Sequence, residues 1–163
     1  LALLLAWQTA ALARQRYEGY SGMDRVVREM FEDLFKKYGE GNIACFGNYR
    51  QMFVPFVRHY DPQRRVHVLQ GDDVTEASGG LAAACHDYVV RWVLVDLPPQ
   101  GKLVDPEIER LLKSEACFRL RREETFGKSR YPVPLLIYEY VGPVAERMKV
   151  VPLRSEKLNI YVR

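Results

Sequence analysis

Cysteine and histidine are scarce in this chain, and neither residue type is spaced for a metal site. The 163 residues include three cysteines and three histidines. No two of the cysteines, Cys45, Cys85 and Cys117, have the Cys-x-x-Cys spacing of zinc or redox sites, and an odd number cannot all pair with one another. The sequence therefore predicts no zinc site and no disulfide scaffold, and we expect the cysteines to be small buried residues.

An excess of charge of one sign is also lacking. The chain has 24 Lys and Arg residues against 21 Asp and Glu residues, a net charge of +3, which is too small an excess to drive binding to nucleic acid. With 48% hydrophobic and 28% charged residues, the composition is that of one globular domain. A domain of this length buries about 70% of the surface that its unfolded chain exposes, so neither a metal ion nor a disulfide is needed for stability.

No apolar run reaches the roughly 20 residues that cross a bilayer. The most apolar stretch is residues 1–13, which contains two polar residues and is followed directly by Arg14 and Arg16. Basic residues are typical of the point where a membrane helix leaves the hydrocarbon. We expect residues 1–17 to be the end of a membrane helix that begins upstream. An N-terminal helix that packs on the core of a soluble protein is the alternative.

Hydrophobic periodicity predicts alternating helices and strands in the domain that spans residues 18–142. Short apolar runs, each preceded by a helical pattern, are typical of parallel strands that are buried on both faces. Three such strands are predicted, Ile43–Gly47, Arg65–Leu69 and Val93–Leu97. The predicted helices cover residues 23–38, 48–60 and 74–89, and a fourth begins at Asp105.

The C-terminal part predicts two further strands and an extension. The strands are Ala116–Glu124 and Leu135–Val141, and the loop over residues 127–134 returns the chain as an antiparallel hairpin. The whole pattern predicts an α/β fold, a Rossmann-like three-layer sandwich with a mostly parallel sheet and the antiparallel hairpin at its C-terminal edge. Residues 143–163 are interpreted as a C-terminal extension.

Ligands of open parallel sheets bind beyond the carboxyl ends of the strands. The side chains expected there are Asn48, Tyr49 and Arg50 after the first strand, Asp72 and Asp73 after the second, and Asp96 at the end of the third. Asp72 lies 25 residues beyond Gly47, close to the spacing at which dinucleotide-binding folds place an acid on the ribose. The turn that begins at Gly47 lacks the further glycines that let backbone amides approach a pyrophosphate. We therefore interpret Asp72 and Asp73 as helix-capping or turn residues, with nucleotide binding as the alternative.

No catalytic residue is predicted. Cys85, His86 and Asp87 are the residue types of a nucleophile relay, but consecutive residues on a helix point about 100° apart and cannot form one. We expect one buried cysteine and two surface groups. The basic stretch Arg119–Arg122 is followed directly by two glutamates, so a solvated strand face is a better interpretation than a phosphate site.

Several sequence stretches follow one another in a distinctive order between residues 5 and 142. They are Ala13-Arg-Gln-Arg-Tyr-Glu-Gly-Tyr20, an amphipathic helix, Asn42-Ile-Ala-Cys-Phe-Gly-Asn-Tyr-Arg50, Arg65-Val-His-Val-Leu69, Arg91-Trp-Val-Leu-Val-Asp96, Phe118–Phe126 and Ile137-Tyr-Glu-Tyr140. In the order of these stretches and in their pattern of hydrophobic residues, the chain resembles the C-terminal soluble region of polytopic membrane glycosyltransferases. These are the GT-C-like enzymes related to dolichyl-phosphate-mannose-protein mannosyltransferases.

The resemblance implies an accessory soluble domain of an integral-membrane enzyme whose donor is a polyprenyl-phosphate-linked sugar. Catalytic acids of that family lie in loops between membrane helices, so no catalytic residue carries over to this chain, and no cofactor is implied. The expected partners are the membrane-embedded part of the same polypeptide and a lipid-linked sugar or acceptor, with the domain on the extracytoplasmic side. A freestanding Rossmann-like nucleotide-binding domain or enzyme, and a pure interaction domain, are the alternatives.

Overall fold

The computed structural model describes residues 31–47, 54, 57, 61, 63, 65–97, 106–126 and 133–151. Residues 1–17, where the end of a membrane helix is predicted, lie outside this part of the chain. The elements in chain order are α1 (residues 31–38), β1 (Asn42–Phe46), β2 (Val68–Gln70), α2 (Gly71–Ser78), α3 (Leu81–Asp87), β3 (Val90–Asp96), α4 (Pro106–Ser114), β4 (Phe118–Phe126) and β5 (Val133–Tyr140). Among these residues, no helix has the length and apolarity needed to cross a membrane.

The strands form one five-stranded mixed sheet in the order β2-β1-β3-β5-β4. β1 pairs in parallel with β2 on one side and with β3 on the other. β5 pairs antiparallel with both β3 and β4. The predictions of an α/β fold, of three adjacent parallel strands and of an antiparallel hairpin at the sheet edge are therefore confirmed.

The predicted helix over residues 74–89 is wrong, because two helices stand in its place. α2 ends at Ser78, and Gly79 follows in the left-handed conformation with φ of +77°. The Gly80 amide donates to the Thr75 carbonyl at 2.9 Å, which closes the C-terminus of α2. α3 then begins at Leu81. A pair of glycines thus ends the helix instead of only weakening it.

Two hydrophobic cores pack against the sheet, and alternate residues of β3 contribute to each. Val93 and Val95 belong to the first core, together with residues of α2, α3 and α4. Trp92 and Leu94 belong to the second core, together with residues of α1. Successive side chains of a strand point to opposite faces, so β3 is buried on both sides. This explains its uninterrupted apolar sequence.

Residues 143–151, here called the C-terminal strap, pack on the end of α3. The Ala145 amide donates to the His86 carbonyl at 3.0 Å, and the Lys149 amide donates to the Asp87 carbonyl at 2.8 Å. These contacts satisfy carbonyls at a helix C-terminus that would otherwise have no partner within the helix. Met148 and Val151 pack against the first core. The strap is thus attached where β1 and β3 begin, at the amino ends of the parallel strands.

Candidate functional site

The carboxyl ends of the parallel strands form the candidate site, because the strand order reverses there. From β1 the chain proceeds to β2 on one side of the sheet and then crosses to β3 on the other side. Such a switch point is where open α/β sheets bind their ligands. The residues at this end are Gly47 after β1, Gly71 after β2 and Asp96 at the end of β3.

Asp96 packs directly on the backbone of Gly47. Gly47 has φ of +106°, a conformation that favours glycine. A Cβ atom added to Gly47 would lie 2.2 Å from Asp96 Oδ2, so the carboxylate fills the space that any side chain at position 47 would need. Asp96 is only 6% exposed. A carboxylate therefore covers Gly47 at the end of β1, the region where doubly wound folds hold a phosphate.

Gly71 brings α2 close to the end of β1. A Cβ atom added to Gly71 would lie 2.6 Å from atoms of the Phe46 ring. The N-cap of α2 is Gln70, which makes no side-chain capping hydrogen bond. Asp72 and Asp73 lie in the first turn, where acidic side chains interact favourably with the positive end of the helix dipole. The interpretation of Asp72 and Asp73 as helix-capping or turn residues is therefore corrected: both lie in the first turn of α2, and neither is its cap.

The structure describes half of the predicted contact residues and places them at one end of the sheet. Asp72 and Asp73 follow β2 and Asp96 ends β3, as the sequence predicts, and these two parallel strands lie on either side of β1. Asn48, Tyr49 and Arg50 lie outside the described residues. The described part of the candidate site is therefore acidic.

The expectation of one buried cysteine and two surface groups is correct for Cys85 and His86 but wrong for Asp87, whose side chain is only 13% exposed. Cys85 is completely buried in the first core, and burial raises the pKa of its thiol. Asp87 instead connects its neighbours: Lys149 donates to it at 2.6 Å and Ser78 at 3.0 Å, and the His86 ring lies 3.1 Å away. The hydrogen bonds from Lys149 and His86 lower the pKa of Asp87 to about 2. This network holds the C-terminal strap.

Glu139 is a buried carboxylate that the sequence reasoning missed. It is 6% exposed and lies on β5. Arg121 Nε donates to Glu139 at 2.7 Å and Arg91 Nη2 donates to it at 3.0 Å. Burial alone would raise the pKa of Glu139, but the hydrogen bonds from the two arginines outweigh it and lower the pKa below its usual value. The sequence signal that could have identified Glu139 is a single acidic residue within an otherwise apolar strand.

The same cluster fixes the end of α1. Arg91 Nη2 also donates to the Tyr38 carbonyl, and the indole of Trp92 donates to the Gly39 carbonyl at 3.3 Å. The Tyr38 ring packs on the Trp92 ring with 6.0 Å between centroids, and Arg121 lies over the Tyr38 ring at 5.1 Å. Arg121 therefore contributes to a packed cluster and not to a solvated strand face, which corrects the interpretation of that arginine.

Two further buried polar residues hold the connection before β2. The Val66 amide donates to Asp61 Oδ2 at 2.6 Å, and Asp61 is 1% exposed. Asn42 donates to the Tyr88 carbonyl and accepts from the His67 amide, each at 3.0 Å. Both side chains satisfy backbone groups that would otherwise be buried without partners, so their role is structural.

Among the residues that the structure describes, no group of three or more His, Cys, Asp and Glu side chains is arranged to hold a metal ion. The buried carboxylates Asp61 and Glu139 serve backbone or arginine partners. No protein-family model, no curated protein and no solved structure matches the chain.

Proposed function

We propose that this chain is a non-catalytic accessory domain of an integral-membrane glycosyltransferase that uses a polyprenyl-phosphate-linked sugar donor. In this proposal the fold is a Rossmann-like three-layer sandwich that has lost its nucleotide site. The domain lies on the extracytoplasmic side and packs against the membrane-embedded part of the same polypeptide. Catalysis belongs to that membrane-embedded part.

The observation that carries the proposal is the contact between Asp96 and Gly47. The Asp96 carboxylate fills the space beside Gly47 at the end of β1, where doubly wound folds bring a phosphate close to the backbone. Like charges repel at short range, so a carboxylate at this position disfavours a phosphate beside it. A fold that usually binds nucleotides is therefore expected not to bind them at this position.

Further support comes from the roles of the buried polar groups. Asp61, Asp87 and Glu139 have hydrogen-bond partners within the domain that fix a loop, the C-terminal strap and α1. Burial makes the thiol of Cys85 hard to ionise. These assignments give three acids and one cysteine structural roles, which fits a scaffold. The sequence resemblance supplies the class of the parent enzyme.

The first test is calorimetric titration of the 163-residue chain with ATP, NAD and S-adenosylmethionine. We expect no saturable isotherm tighter than about millimolar, a limit of about 4 kcal/mol of binding energy. A micromolar isotherm that Asp72→Ala abolishes and that the neighbouring Asp73→Ala preserves would overturn the proposal in favour of nucleotide binding.

The second test concerns the parent enzyme. The gene upstream of the codon for Leu1 is expected to encode several apolar spans of about 20 residues each. Sugar transfer from a polyprenyl-phosphate donor should be measurable for the full-length protein in membranes and absent for this chain alone. An initiation codon immediately before Leu1, or transfer activity of the isolated chain, contradicts the proposal.

A freestanding nucleotide-binding domain is the second candidate, and the strand order favours it. The parallel order β2-β1-β3 is that of the first three strands of a flavodoxin-like doubly wound sheet, which binds its nucleotide cofactor where β1 and β3 diverge, and Asp72 lies just after β2. If this candidate is correct, Asp96→Gly should strengthen nucleotide binding by removing the carboxylate from Gly47. Unchanged weak binding in that variant favours the accessory-domain proposal.

A further inference from the structure

We propose that the outer edge of β4 is a docking site for an extended acidic peptide, which joins the sheet antiparallel to residues Phe118–Leu120. This interaction surface goes beyond the accessory-domain proposal and does not depend on it. The peptide that fits has an acidic residue opposite Arg119 and apolar residues opposite Phe118 and Leu120. The open backbone of the edge and the charge around it carry the inference.

The backbone of β4 is paired on one side only. Within the part of the chain that the structure describes, β5 is its single strand partner. The Cys117 carbonyl accepts from the Val141 amide at 2.8 Å, so Cys117 faces β5. Backbone groups that bond across an antiparallel ladder alternate with those that do not, so those of Phe118 and Leu120 point away from β5. The Phe118 amide donates to the Glu115 carbonyl at 3.1 Å, which leaves one carbonyl at Phe118 and both groups of Leu120 to an added strand.

The side chains of this edge combine an apolar group with a cation. Leu120 is in register with Tyr138, on the face of the first core, yet it is 50% exposed. Arg119 points to the opposite face. It is exposed and forms no ion pair with any residue that the structure describes. Directly opposite residues of an antiparallel pair lie about 5 Å apart, so an apolar residue of the added strand covers Leu120 and an acidic one pairs with Arg119.

The surroundings of Arg119 carry a surplus of positive charge. Arg119 is in register with Glu139, but that carboxylate already binds Arg91 and Arg121. Lys37, whose ammonium group lies over the same tyrosine ring as the guanidinium of Arg121, adds a further positive charge. A carboxylate of the partner therefore meets cations that the domain itself does not neutralise.

An acidic peptide fits this edge better than nucleic acid or a second copy of the chain. Arg121 and Arg122 are held by Glu139 and Asp33, which leaves few cations for a row of phosphates. Antiparallel pairing of two copies about this segment would place Arg119 opposite its own counterpart, and like charges opposite each other destabilise a sheet. A bulge directly after the segment bends the edge and prevents longer pairing.

Fluorescence polarisation with labelled peptides tests the docking site. The probe is a peptide of about ten residues in which valine and glutamate alternate, with both ends blocked. We expect saturable binding to the 163-residue chain. The same peptide with lysine in place of glutamate should bind at least about tenfold more weakly, because its charge is reversed. N-methylation of the valines should weaken binding at least about tenfold as well, because it removes the amides that donate to Phe118 and Leu120.

Substitutions in the protein locate the site on β4. Arg119→Glu should weaken binding of the acidic probe at least about tenfold, and Leu120→Ala about fivefold, because less apolar surface is covered. Both side chains are exposed, and near-ultraviolet circular dichroism verifies that each variant is folded. Arg147→Glu is the matched control, since Arg147 is an exposed arginine of the C-terminal strap, and affinity should stay within about twofold. Equal losses in the two arginine variants overturn the assignment to β4.

Amide hydrogen exchange separates strand addition from charge attraction alone. The Leu120 amide should exchange rapidly in the free chain and at least about tenfold more slowly when the probe is saturating. Binding without this protection, or equally tight binding of inorganic polyphosphate, overturns the proposal in favour of a general anion surface. A Leu120 amide that is protected in the free chain shows that another part of the chain or a second copy occupies the edge, which also overturns it. Absence of saturable binding refutes the docking site and leaves the accessory-domain proposal standing.

Discussion

Glu139→Gln is expected to destabilise the domain, because Glu139 joins three elements through two arginines. The carboxylate is buried on β5 and accepts from Arg91 of β3 and Arg121 of β4. A hydrogen bond to a charged group contributes about 1.5–3 kcal/mol. The arginine side chains are 37% and 29% exposed, so both can be partly rehydrated after the substitution. We therefore expect a loss of about 2–3 kcal/mol in the free energy of unfolding, less than for a completely buried pair.

Urea unfolding at pH 7, followed by tryptophan fluorescence, measures this loss. Trp92 is fully buried beside the cluster, with the Arg91 guanidinium 5.3 Å from its ring centroid. Glu123→Gln is the matched control, since Glu123 is an exposed acid on β4, and its effect should stay within about 0.5 kcal/mol. If Glu139→Gln falls in that same range, the cluster is not a stabilising connection and the reasoning is refuted.

The effect should also depend on pH in a defined direction. The pKa of Glu139 is lowered in the folded state from its reference value of 4.5. A lowered pKa means that the stabilisation is fully present above the unfolded-state value and is lost as the pH falls through the folded-state value. The difference in unfolding free energy between wild type and Glu139→Gln should therefore be constant from pH 7 to pH 6 and shrink below about pH 4.5. A difference that grows on acidification contradicts this assignment.

Four further substitutions test other features of the domain. Gly47→Ala should cost roughly 2–4 kcal/mol of unfolding free energy, because it combines a positive φ with a clash against Asp96. Gly79→Ala is the control, since φ there is +77° but the space is open, and it should cost only about 1–2 kcal/mol. Equal costs of the two substitutions in urea unfolding contradict the clash. Asp61→Ala leaves a buried amide without its acceptor and should cost about 1–3 kcal/mol in the same assay; a loss below about 0.5 kcal/mol shows that water replaces the carboxylate. Lys149→Met should speed amide hydrogen exchange in the C-terminal strap, and unchanged exchange in the variant contradicts the attachment. Because the pKa of Asp87 is lowered to about 2, the wild-type contact between Lys149 and Asp87 should persist at pH 4 and be lost only as the pH falls toward 2.

The sheet could be predicted from the sequence because its signals are local. β1 and β3 are short runs of buried apolar residues, and α4 begins at Pro106 in a sequence that combines proline at the first helical position with acids in the first turn. β2 was harder to place, since it has only three residues, Val68–Gln70. The pairing of β2 with β1 determines where β2 begins and ends. Residues 65–70 alone do not contain that information.

The contacts at the candidate site could not be predicted, because they join distant parts of the chain. Asp96 was expected at the carboxyl end of β3, but its packing on Gly47 depends on the pairing of two strands in one register. Arg91 and Glu139 are 48 residues apart. Periodicity indicates which face a residue occupies, but it does not indicate which charged partner lies across the sheet.

The place of β5 between β3 and β4 has a consequence for biosynthesis. Ribosomes produce the chain from the N-terminus, so β1, β2 and β3 are complete before any residue of β5 exists. Until Tyr140 has left the exit tunnel, β3 has one open edge and the second core lacks Leu135 and Ile137. Open apolar edges invite pairing with other chains. A truncated product that ends before Val133 should therefore aggregate, and the domain should fold only after the final hairpin is translated.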